Sequence, residues 1–396
     1  MELGPVSVLN ANLPLAPAKP PVNLRSVAAQ LVALGVVAAL LAVIVATTAA
    51  NLRARGIPLG LEFLSDRAGF TVAETLLPYH PDDSAMWAIV VGIGNTLLVS
   101  VVVAFASTVL GTLLGIARLS ENPLVAGLAR VWVEGVRNTP PILLLIFLYT
   151  MWWQVIPANK AVRLVPGTLA TIRGLAIPAV VSPWHPLTIL AALTLASVAF
   201  AGGAHAVRRL DLTIPRRVGQ ILAVATTVGL VALIAVAVSG QYISISFPRS
   251  SGMDIVGGAI LTPELATILF GLTIYTTGFV AEIVRGGINA VPHGQWEAAR
   301  SLGLARPQTL RLVIIPQMMR TIVPPMTSQY INIVKNSTLA LAVGYTEFLT
   351  IMGTMINKSS HAVEGTVIII AVYLTINLSM SAVLNWYNYR VAARER

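Results

Sequence analysis

The sequence predicts an all-α integral membrane protein that crosses the bilayer with about eight transmembrane helices. Of its 396 residues, 56% are hydrophobic and only 11% are charged, whereas soluble domains contain about 25% charged residues. The mean hydropathy is +0.79. Long uncharged runs agree with this class, because about 20 apolar residues are needed to cross about 30 Å of hydrocarbon.

Six uncharged runs each predict one membrane helix. They cover residues 26–52, 84–117, 138–159, 174–207, 218–248 and 365–389. A seventh run, 265–281, is slightly short but becomes long enough once Glu282 is tolerated within the helix. The apolar region 321–357 is interrupted by Lys335 and Glu347. Hydropathy alone leaves it open between one broken crossing and two surface helices, and a closed topology needs one crossing there.

The N-terminal region predicts a tail followed by a retained helix. Residues 1–24 contain Pro14, Pro17, Pro20 and Pro21 and are expected to form a disordered cytoplasmic tail. The next apolar run exceeds the roughly 7 to 15 residues of a secretory signal core, so residues 25–86 are expected to hold an extra transmembrane helix and an outside segment. The chain has no cysteine, which excludes disulfides and thiolate metal sites. No metal site is predicted.

The net charge of +10 is explained by membrane orientation rather than by nucleic acid. Eight crossings with both termini in the cytoplasm place most Lys and Arg residues inside, which is the usual positive-inside bias. One loop does not conform, because Lys160, Arg163 and Arg173 fall outside without acidic neighbours. Side chains that extend to the membrane interface are one explanation for these three cations.

The helix predicted over 84–117 contains Gly111 and Gly115 four residues apart. This spacing lets two helices approach closely. The alternative is the ordinary frequency of glycine in membrane helices. Both interpretations stay open at this stage.

The most informative segment is the predicted cytoplasmic loop 286–316. Pro292 and Gly294 interrupt the chain, and the residues that follow favour a helix up to Leu302. Gly303 stands where a helix often ends in a left-handed conformation, and a second short helix is predicted from Pro307 to Pro316. The small Ala298 and Ala299 beside Glu297 predict a docking surface for another protein, although an amphipathic loop lying on lipid headgroups is the alternative.

The spacing of this loop resembles the permease subunits of ABC importers. Their signature is Glu-Ala-Ala, three residues, Gly, nine residues, and then Ile-x-Leu-Pro. Here it stands as Glu297, Ala298, Ala299, Gly303, Val313, Ile315 and Pro316. In that family the loop inserts into a groove of the ATPase subunit. The resemblance therefore implies an ATPase-coupling role for Gly294, Glu297, Ala298, Ala299, Arg300 and Gly303.

Further segments resemble the polar amino acid subfamily of these permeases. They are ARLSENPLV (117–125), WVEGVRNTPPILL (132–144), YTTGFVAEIVRGGI (275–288), PPMTSQYINIVKNSTLA (324–340) and NWYN (385–388). The resemblance implies a permease core of five helices in two parts, 87–156 and 263–396. The extra N-terminal helix and an inserted transmembrane hairpin, 157–262, are similar to the larger permease of general L-amino acid uptake systems. The chain departs from relatives at Pro141, Ile142 and Leu143, where those often have Gln.

The resemblance also implies a cellular setting and a set of partners. The location is the bacterial inner membrane, and the substrates are polar L-amino acids. The partners are ABC ATPase subunits, which bind the ATP and Mg that this chain does not bind, a second homologous permease that gives a heterodimer, and a periplasmic amino acid binding protein. The chain itself is predicted not to be an enzyme.

Charges inside membrane helices are costly and therefore mark candidate functional positions. Glu282 can pair with Arg285 one turn along the same helix. The polar residues after Lys335 disfavour an uninterrupted helix, and transporters often place a substrate path or gate at such a break. A kink or gate without substrate contact is the equal alternative. The candidate path residues are Gln329, Tyr330, Lys335, Asn336, Ser337 and Thr338.

Two other classes compete with an importer subunit. An enzyme is disfavoured because the five histidines are isolated and none of the four lysines follows the glycine pattern of a Walker A loop. A secondary transporter or a channel would also need polar breaks in its membrane helices. Neither of these two explains the docking loop.

Overall fold

The computed structural model describes residues 24–54, 56, 60–157, 160–181, 244–251 and 254–393. The chain forms two compact units, Met1–Leu61 and Glu62–Arg396. In the first unit, helix α1 (Leu24–Ala54) contains an apolar stretch, Ala28–Asn51, that is long enough to cross a membrane. Of the predicted tail, residues 1–23 lie outside the described residues.

The second unit is mainly helical, as the hydropathy predicted. Its long helices are α2 (Ala85–Ala117), α5 (Pro263–Asn289), α8 (Ile315–Asn336) and α10 (Ala362–Ala393). The shorter helices are α3 (Pro123–Asn138), α4 (Pro141–Val155), α6 (His293–Ser301), α7 (Arg306–Thr309) and α9 (Phe348–Ser359). A short 3-10 turn (Glu62–Leu64) precedes α2, and a 3-10 segment (Ser337–Val343) follows α8.

Local sequence explains where these helices begin. Ser84 caps α2 by accepting a hydrogen bond from the backbone N–H of Trp87, and Thr262 caps α5 in the same way ahead of Pro263. A hydroxyl at this position satisfies a backbone donor that the first turn leaves unpaired. Proline is favoured in the first turn because its missing N–H costs nothing there.

Helix α5 is the centre of the unit. It packs against α2, α3, α4 and α8. The main apolar cluster joins it to α2 and to α4 through Leu272, Val103 and Leu145, all almost fully buried. A second cluster fixes the segment before α2 against α9, where Phe63 contacts the group that includes Phe348.

The number of membrane-spanning helices is between four and six in the described part of the chain. Four helices qualify alone, and two bent pairs qualify if each is one broken span. The run 138–159 is such a case, because α4 begins only at Pro141 and meets α3 at 103° across the Thr139-Pro140 corner. The region 321–357 is the other, since Arg306–Val343 and Phe348–Ser359 meet at 53°. This bend fits a broken crossing and equally a re-entrant loop, so the crossing expected there stays a prediction.

The two edges of the predicted inserted hairpin are not helical, which corrects the spans predicted from residue 174 and up to residue 248. A three-stranded antiparallel sheet has the order β1-β2-β7, and two strand pairs join β3 to β4 and β5 to β6. The strands are β1 (Leu169–Thr171), β2 (Gly174–Ile177), β3 (Ala179–Val181), β4 (Ser244–Ser246), β5 (Arg249–Ser251), β6 (Asp254–Val256) and β7 (Ala259–Leu261).

The physical reason for this correction is that hydropathy counts apolar residues without distinguishing strand from helix. Gly174, with φ of +136°, turns the chain between β1 and β2, and Pro178 separates β2 from β3. Both residues break helices. Residues 182–243, which hold most of the predicted hairpin, lie outside the described residues, so that prediction stays a prediction.

Candidate functional site

The loop 286–316 folds as a compact helical unit between the two long helices α5 and α8. Helix α6 (His293–Ser301) is followed by Gly303, whose φ of +72° is left-handed. The backbone N–H of Gly303 donates to Arg300 O, and that of Leu304 donates to Ala299 O. These bonds satisfy carbonyls that the end of the helix leaves free. The predicted helix and its glycine terminator are therefore confirmed.

The second predicted helix of the loop does not end at Pro316. Helix α7 (Arg306–Thr309) continues through a π-helical turn, Leu310–Ile314, directly into α8. Pro316 lies in the first turn of α8, where a proline is tolerated because its N–H has no helical partner. The part of the loop from Arg306 onward is thus joined to α8 by continuous helix.

The surface of α6 presents most, but not all, of the predicted coupling residues. Glu297, Ala298 and Arg300 are exposed, as are Gly294 and Gly303. Glu297 lies 3.1 Å from His293 Nδ1. Ala299 is only 2% exposed, so it packs inside the loop rather than on its surface. That corrects the expectation that both alanines are available for docking.

Sequence reasoning missed one prominent feature of this surface. Leu302, the residue before Gly303, is 79% exposed at the end of the helix that carries Glu297. A single exposed apolar side chain is ordinary on a protein surface, so Leu302 does not by itself mark a contact site. Gln317 of α8 donates to Gln295 of α6 over 3.1 Å, which fixes α6 against the start of α8.

The candidate substrate-path residues lie on the end of α8 and on the 3-10 segment that follows. The α-helix ends at Asn336, as the polar run after Lys335 predicted. The hydroxyl of Ser337 donates to Val334 O, and that of Thr338 donates to Lys335 O, both over 2.7 Å. The larger bend comes later, after Gly344, whose φ is +82°.

These residues do not share one environment. Tyr330 is half-buried, donates to or accepts from Thr108 on α2 over 3.0 Å, and borders two apolar grooves of about 560 and 280 Å³. Ser337 is buried, and Gln329, Asn336 and Thr338 are partly buried. Lys335 is exposed. The structure therefore separates Lys335 from the buried members of the predicted set.

Lys335 belongs to an exposed polar face of α8 that the sequence analysis did not single out. Ser328 and Asn332 are also exposed, and their spacing of four and three residues puts them on the same side of the helix as Lys335. Polar residues in a membrane helix usually face water or another protein chain, because lipid cannot satisfy them. This face of α8 is thus a candidate lining for a passage or a partner contact.

A buried carboxylate holds the bend between the 3-10 segment and α9. Glu347 is fully buried and accepts hydrogen bonds from Thr96 Oγ1 at 3.0 Å, from the Tyr373 hydroxyl at 2.8 Å and from the backbone N–H of Thr350 at 3.1 Å. The side chain of Asn95 donates to Thr346 O over 2.8 Å. Helices α2 and α10 are therefore tied to the bend through polar contacts.

A second acid, Glu74, lies partly buried in the segment before α2. Glu74 Oε1 accepts from the backbone N–H of Thr262 over 2.6 Å, at the start of α5. Burial raises the pKa of Glu74, and the hydrogen bond from Thr262 opposes that shift only in part. Within the described residues, no group of three or more His, Cys, Asp or Glu side chains could hold a metal ion.

Taken together, several helices that are long and apolar enough to cross a membrane define a polytopic membrane protein, and an exposed helical loop lies between its helices α5 and α8. Residues 107–393 match the family described as binding-protein-dependent transport system inner membrane component. The chain belongs to this family.

Several relatives are similar over most of the chain. The general L-amino acid transport system permease protein AapQ of Rhizobium johnstonii is 40% identical over 88% of each chain. The putative amino-acid ABC transporter permease protein YhdX of Escherichia coli is 40% identical over 88% of this chain and 89% of that protein. A glutamate/glutamine/aspartate/asparagine permease, BztB of Rhodobacter capsulatus, is 35% identical over 94% and 95%. A solved amino acid ABC transporter superposes with a TM-score of 0.47 at 18% identity, covering 77% of this chain and 94% of that one.

Proposed function

We propose that this chain is the transmembrane permease subunit of an ATP-binding-cassette importer that moves polar L-amino acids into the cytoplasm. The observation that carries the proposal is the exposed surface of α6, formed by Glu297, Ala298 and Arg300, on the loop that leads through α7 into α8. The family match and the similarity to the general L-amino acid permease AapQ and to the glutamate/glutamine/aspartate/asparagine permease BztB support the substrate class.

The proposal assigns the chemistry of ATP to a separate subunit. ATP and Mg are bound by ABC ATPase chains that receive the α6 surface, and this chain has no catalytic role. A periplasmic binding protein delivers the amino acid, and a second homologous permease completes a heterodimer. The protein then resides in the bacterial inner membrane with both termini in the cytoplasm.

Purification of the full-length chain from its native host separates this proposal from its main rival. An importer subunit co-purifies with an ATPase and a second permease. A secondary transporter or a channel is purified without an ATPase, and that result would refute the proposal. Uptake by the reconstituted complex, with each common L-amino acid as competitor, then defines the substrate.

The role of α6 is tested by reversing one exposed charge. Glu297→Lys is expected to assemble poorly with the ATPase or to hydrolyse ATP without uptake, because the surface loses its only acid. Glu121→Lys is a matched control, since Glu121 is also exposed but lies in the connection between α2 and α3. Coupled uptake by Glu297→Lys at the wild-type rate would remove α6 from the coupling role.

The substrate path is proposed to run along the polar face of α8 and the residues that follow it. Of the predicted candidates, Lys335 lies on this face, and Asn336, Ser337 and Thr338 follow it along the chain. Gln329 and Tyr330 are kept as sequence-based candidates, although Tyr330 borders the apolar grooves. Asn336→Leu is expected to raise the KM for uptake or to change its selectivity. Thr375→Val on α10 is the control, because the Thr375 hydroxyl bonds only a carbonyl of its own helix. Unchanged KM and selectivity in Asn336→Leu would take this residue off the path.

A further inference from the structure

A single carboxylate ties three helices together near the coupling loop. Glu282 on α5 accepts hydrogen bonds from Arg118, at the end of α2, and from Arg285, one turn along α5. Arg137, near the end of α3, places Nη1 3.6 Å from Glu282 Oε2. The sequence predicted only the pair with Arg285. The two other arginines are distant in the chain, and they connect α2 and α3 to α5.

The local packing and charge make this cluster strongly dependent on Glu282. The side chain of Arg118 is only 8% exposed and that of Glu282 is 28% exposed. Glu134 approaches Arg118 at 3.9 Å but is itself 56% exposed, so its charge is well screened by solvent. Removal of one partner from a buried ion pair leaves an uncompensated charge, which is strongly destabilising. Loss of the Glu282 charge would leave three guanidinium groups around one neutral side chain, and that of Arg118 is the most buried of the three.

Close backbone packing occurs at the same level of the bundle. A Cβ on Gly115, three residues before Arg118, would lie 2.7 Å from Ala281 O, the carbonyl preceding Glu282. The Arg137 guanidinium also lies 5.5 Å from the ring centroid of Phe279 on α5, a cation–π distance. The ends of α2 and α3 therefore contact α5 through packing, stacking and charge.

We propose that Glu282 is a positioning residue that makes the loop-proximal ends of α2, α3 and α5 move as one body. Helix α5 leads directly into the 286–316 loop, and α3 leads through the Thr139-Pro140 corner into α4. A displacement of α6 is thereby passed to α2 and α4 as well as to α8. This inference rests on the proposed coupling function, because it requires an ATPase that moves the loop.

The first test measures amino acid uptake per ATP hydrolysed by the complete complex in liposomes. Glu282→Gln retains the size of the side chain but removes its charge, and it is expected to lower that ratio about tenfold, within the range by which coupling networks act. Glu282→Asp retains the charge and should restore part of the ratio. A wild-type ratio of uptake to ATP hydrolysis in Glu282→Gln would overturn the inference. The same holds if the variant only assembles in lower yield and the assembled complex has the wild-type ratio.

The second test does not depend on the folding of a charge variant. The chain has no cysteine, so a cysteine pair introduced into α3 and α5 supplies its only thiols. A Cβ on Gly278 would lie 3.4 Å from Val136 Cγ1, which favours a disulfide between Val136→Cys and Gly278→Cys. If α3 and α5 move as one body, the oxidised complex keeps its uptake rate, with the reduced double variant as control. Loss of uptake on oxidation, with ATP hydrolysis retained, would overturn the inference.

A failure of the proposed function can be distinguished from a failure of the role proposed for Glu282. A wild-type complex without ATP-driven uptake would refute the proposed function itself. A working wild-type complex whose Glu282→Gln variant couples normally would refute only the role of Glu282. Both results come from the same assay, applied to the wild-type and the Glu282→Gln complexes.

Discussion

The contact between α2 and α5 gives the sharpest stability prediction, at Gly115. A Cβ at this position would lie 2.7 Å from Ala281 O and 2.9 Å from Val284 Cβ, whereas ordinary contacts begin at 3.4 Å. The nearest atom is a backbone carbonyl, which cannot rotate away. The helices must therefore separate by about 0.7 Å to accommodate Gly115→Ala.

The expected cost follows from two opposed effects. Overpacking a close contact costs about 1 to 3 kcal/mol. Alanine is better than glycine in a helix by about 1 kcal/mol, which offsets part of that cost. The difference between these two effects is about 0 to 2 kcal/mol. Because the obstructing atom belongs to the backbone, we expect Gly115→Ala to destabilise by about 1 to 2 kcal/mol, the upper half of that range.

Gly127→Ala in α3 is the matched control, because a Cβ there has nothing within 4 Å. It retains only the helix-propensity gain and should be neutral or stabilising by up to about 1 kcal/mol. The free energy of unfolding of the full-length chain in detergent, measured by denaturant titration of tryptophan fluorescence, compares the two variants. Equal changes of the same sign would refute the interpretation that Gly115 is required for close approach of α2 to α5.

Three further predictions concern other parts of the structure. Glu347→Ala should lower the free energy of unfolding by about 2 to 5 kcal/mol, because it removes a helix cap and leaves buried donors unpaired, while Glu121→Ala on the surface should change it little in the same titration. Burial raises the pKa of Glu74, so the contribution of this residue to stability is present at low pH and is lost as the pH rises through the raised pKa. Glu74→Gln should therefore flatten the pH dependence of the unfolding midpoint above about pH 4. An unchanged slope would contradict this. Gly303→Ala should destabilise by about 1 to 2 kcal/mol because of its left-handed φ, whereas Gly294→Ala, which has ordinary φ and free space, should not.

Membrane helices and the loop were predictable from sequence because their signals are local. Uncharged runs located α2, α5 and α10, and the turn residues around α6 located its end at Gly303. The pair Gly111 and Gly115 was ambiguous in sequence, and the structure decides in favour of close approach to Val280 and Val284. A glycine spacing shows that two helices can approach, but only the partner helix shows whether they do.

The strands at the edges of the inserted segment were missed for the opposite reason. Residues 174–181 are apolar and uncharged, and such a run fits both a buried strand and the start of a helix. The pairing that decides between them is long-range, because Leu175 of β2 faces Leu261 of β7. Gly174 and Pro178 were the available local signals, and both indicated interruption.

The ion cluster on Glu282 shows how a correct local interpretation can be incomplete. The spacing of three residues between Glu282 and Arg285 predicted their contact, and the structure has it. Arg118 is 164 residues from Glu282 in the chain, so no helical periodicity relates the two. The pair alone would only stabilise α5 within itself, by a few tenths of a kcal/mol. The added arginines change its consequence, because they make the end of α5 inseparable from α2 and α3.

In the proposed coupling function, this arrangement connects the exposed loop to helices that it does not touch. The exposed surface of α6 is connected to the long helices at two ends, through α7 and the π-helical turn to α8 and through residues 290–292 to the end of α5. A force on α6 along the first route acts first on α8, which packs against α5, α2 and α10. Along the second, it reaches Glu282 and hence α2 and α3, provided that the carboxylate keeps its charge. Uptake in Glu282→Gln should therefore fall while the α6 surface still binds its partner, and loss of that binding would place the defect in the loop instead.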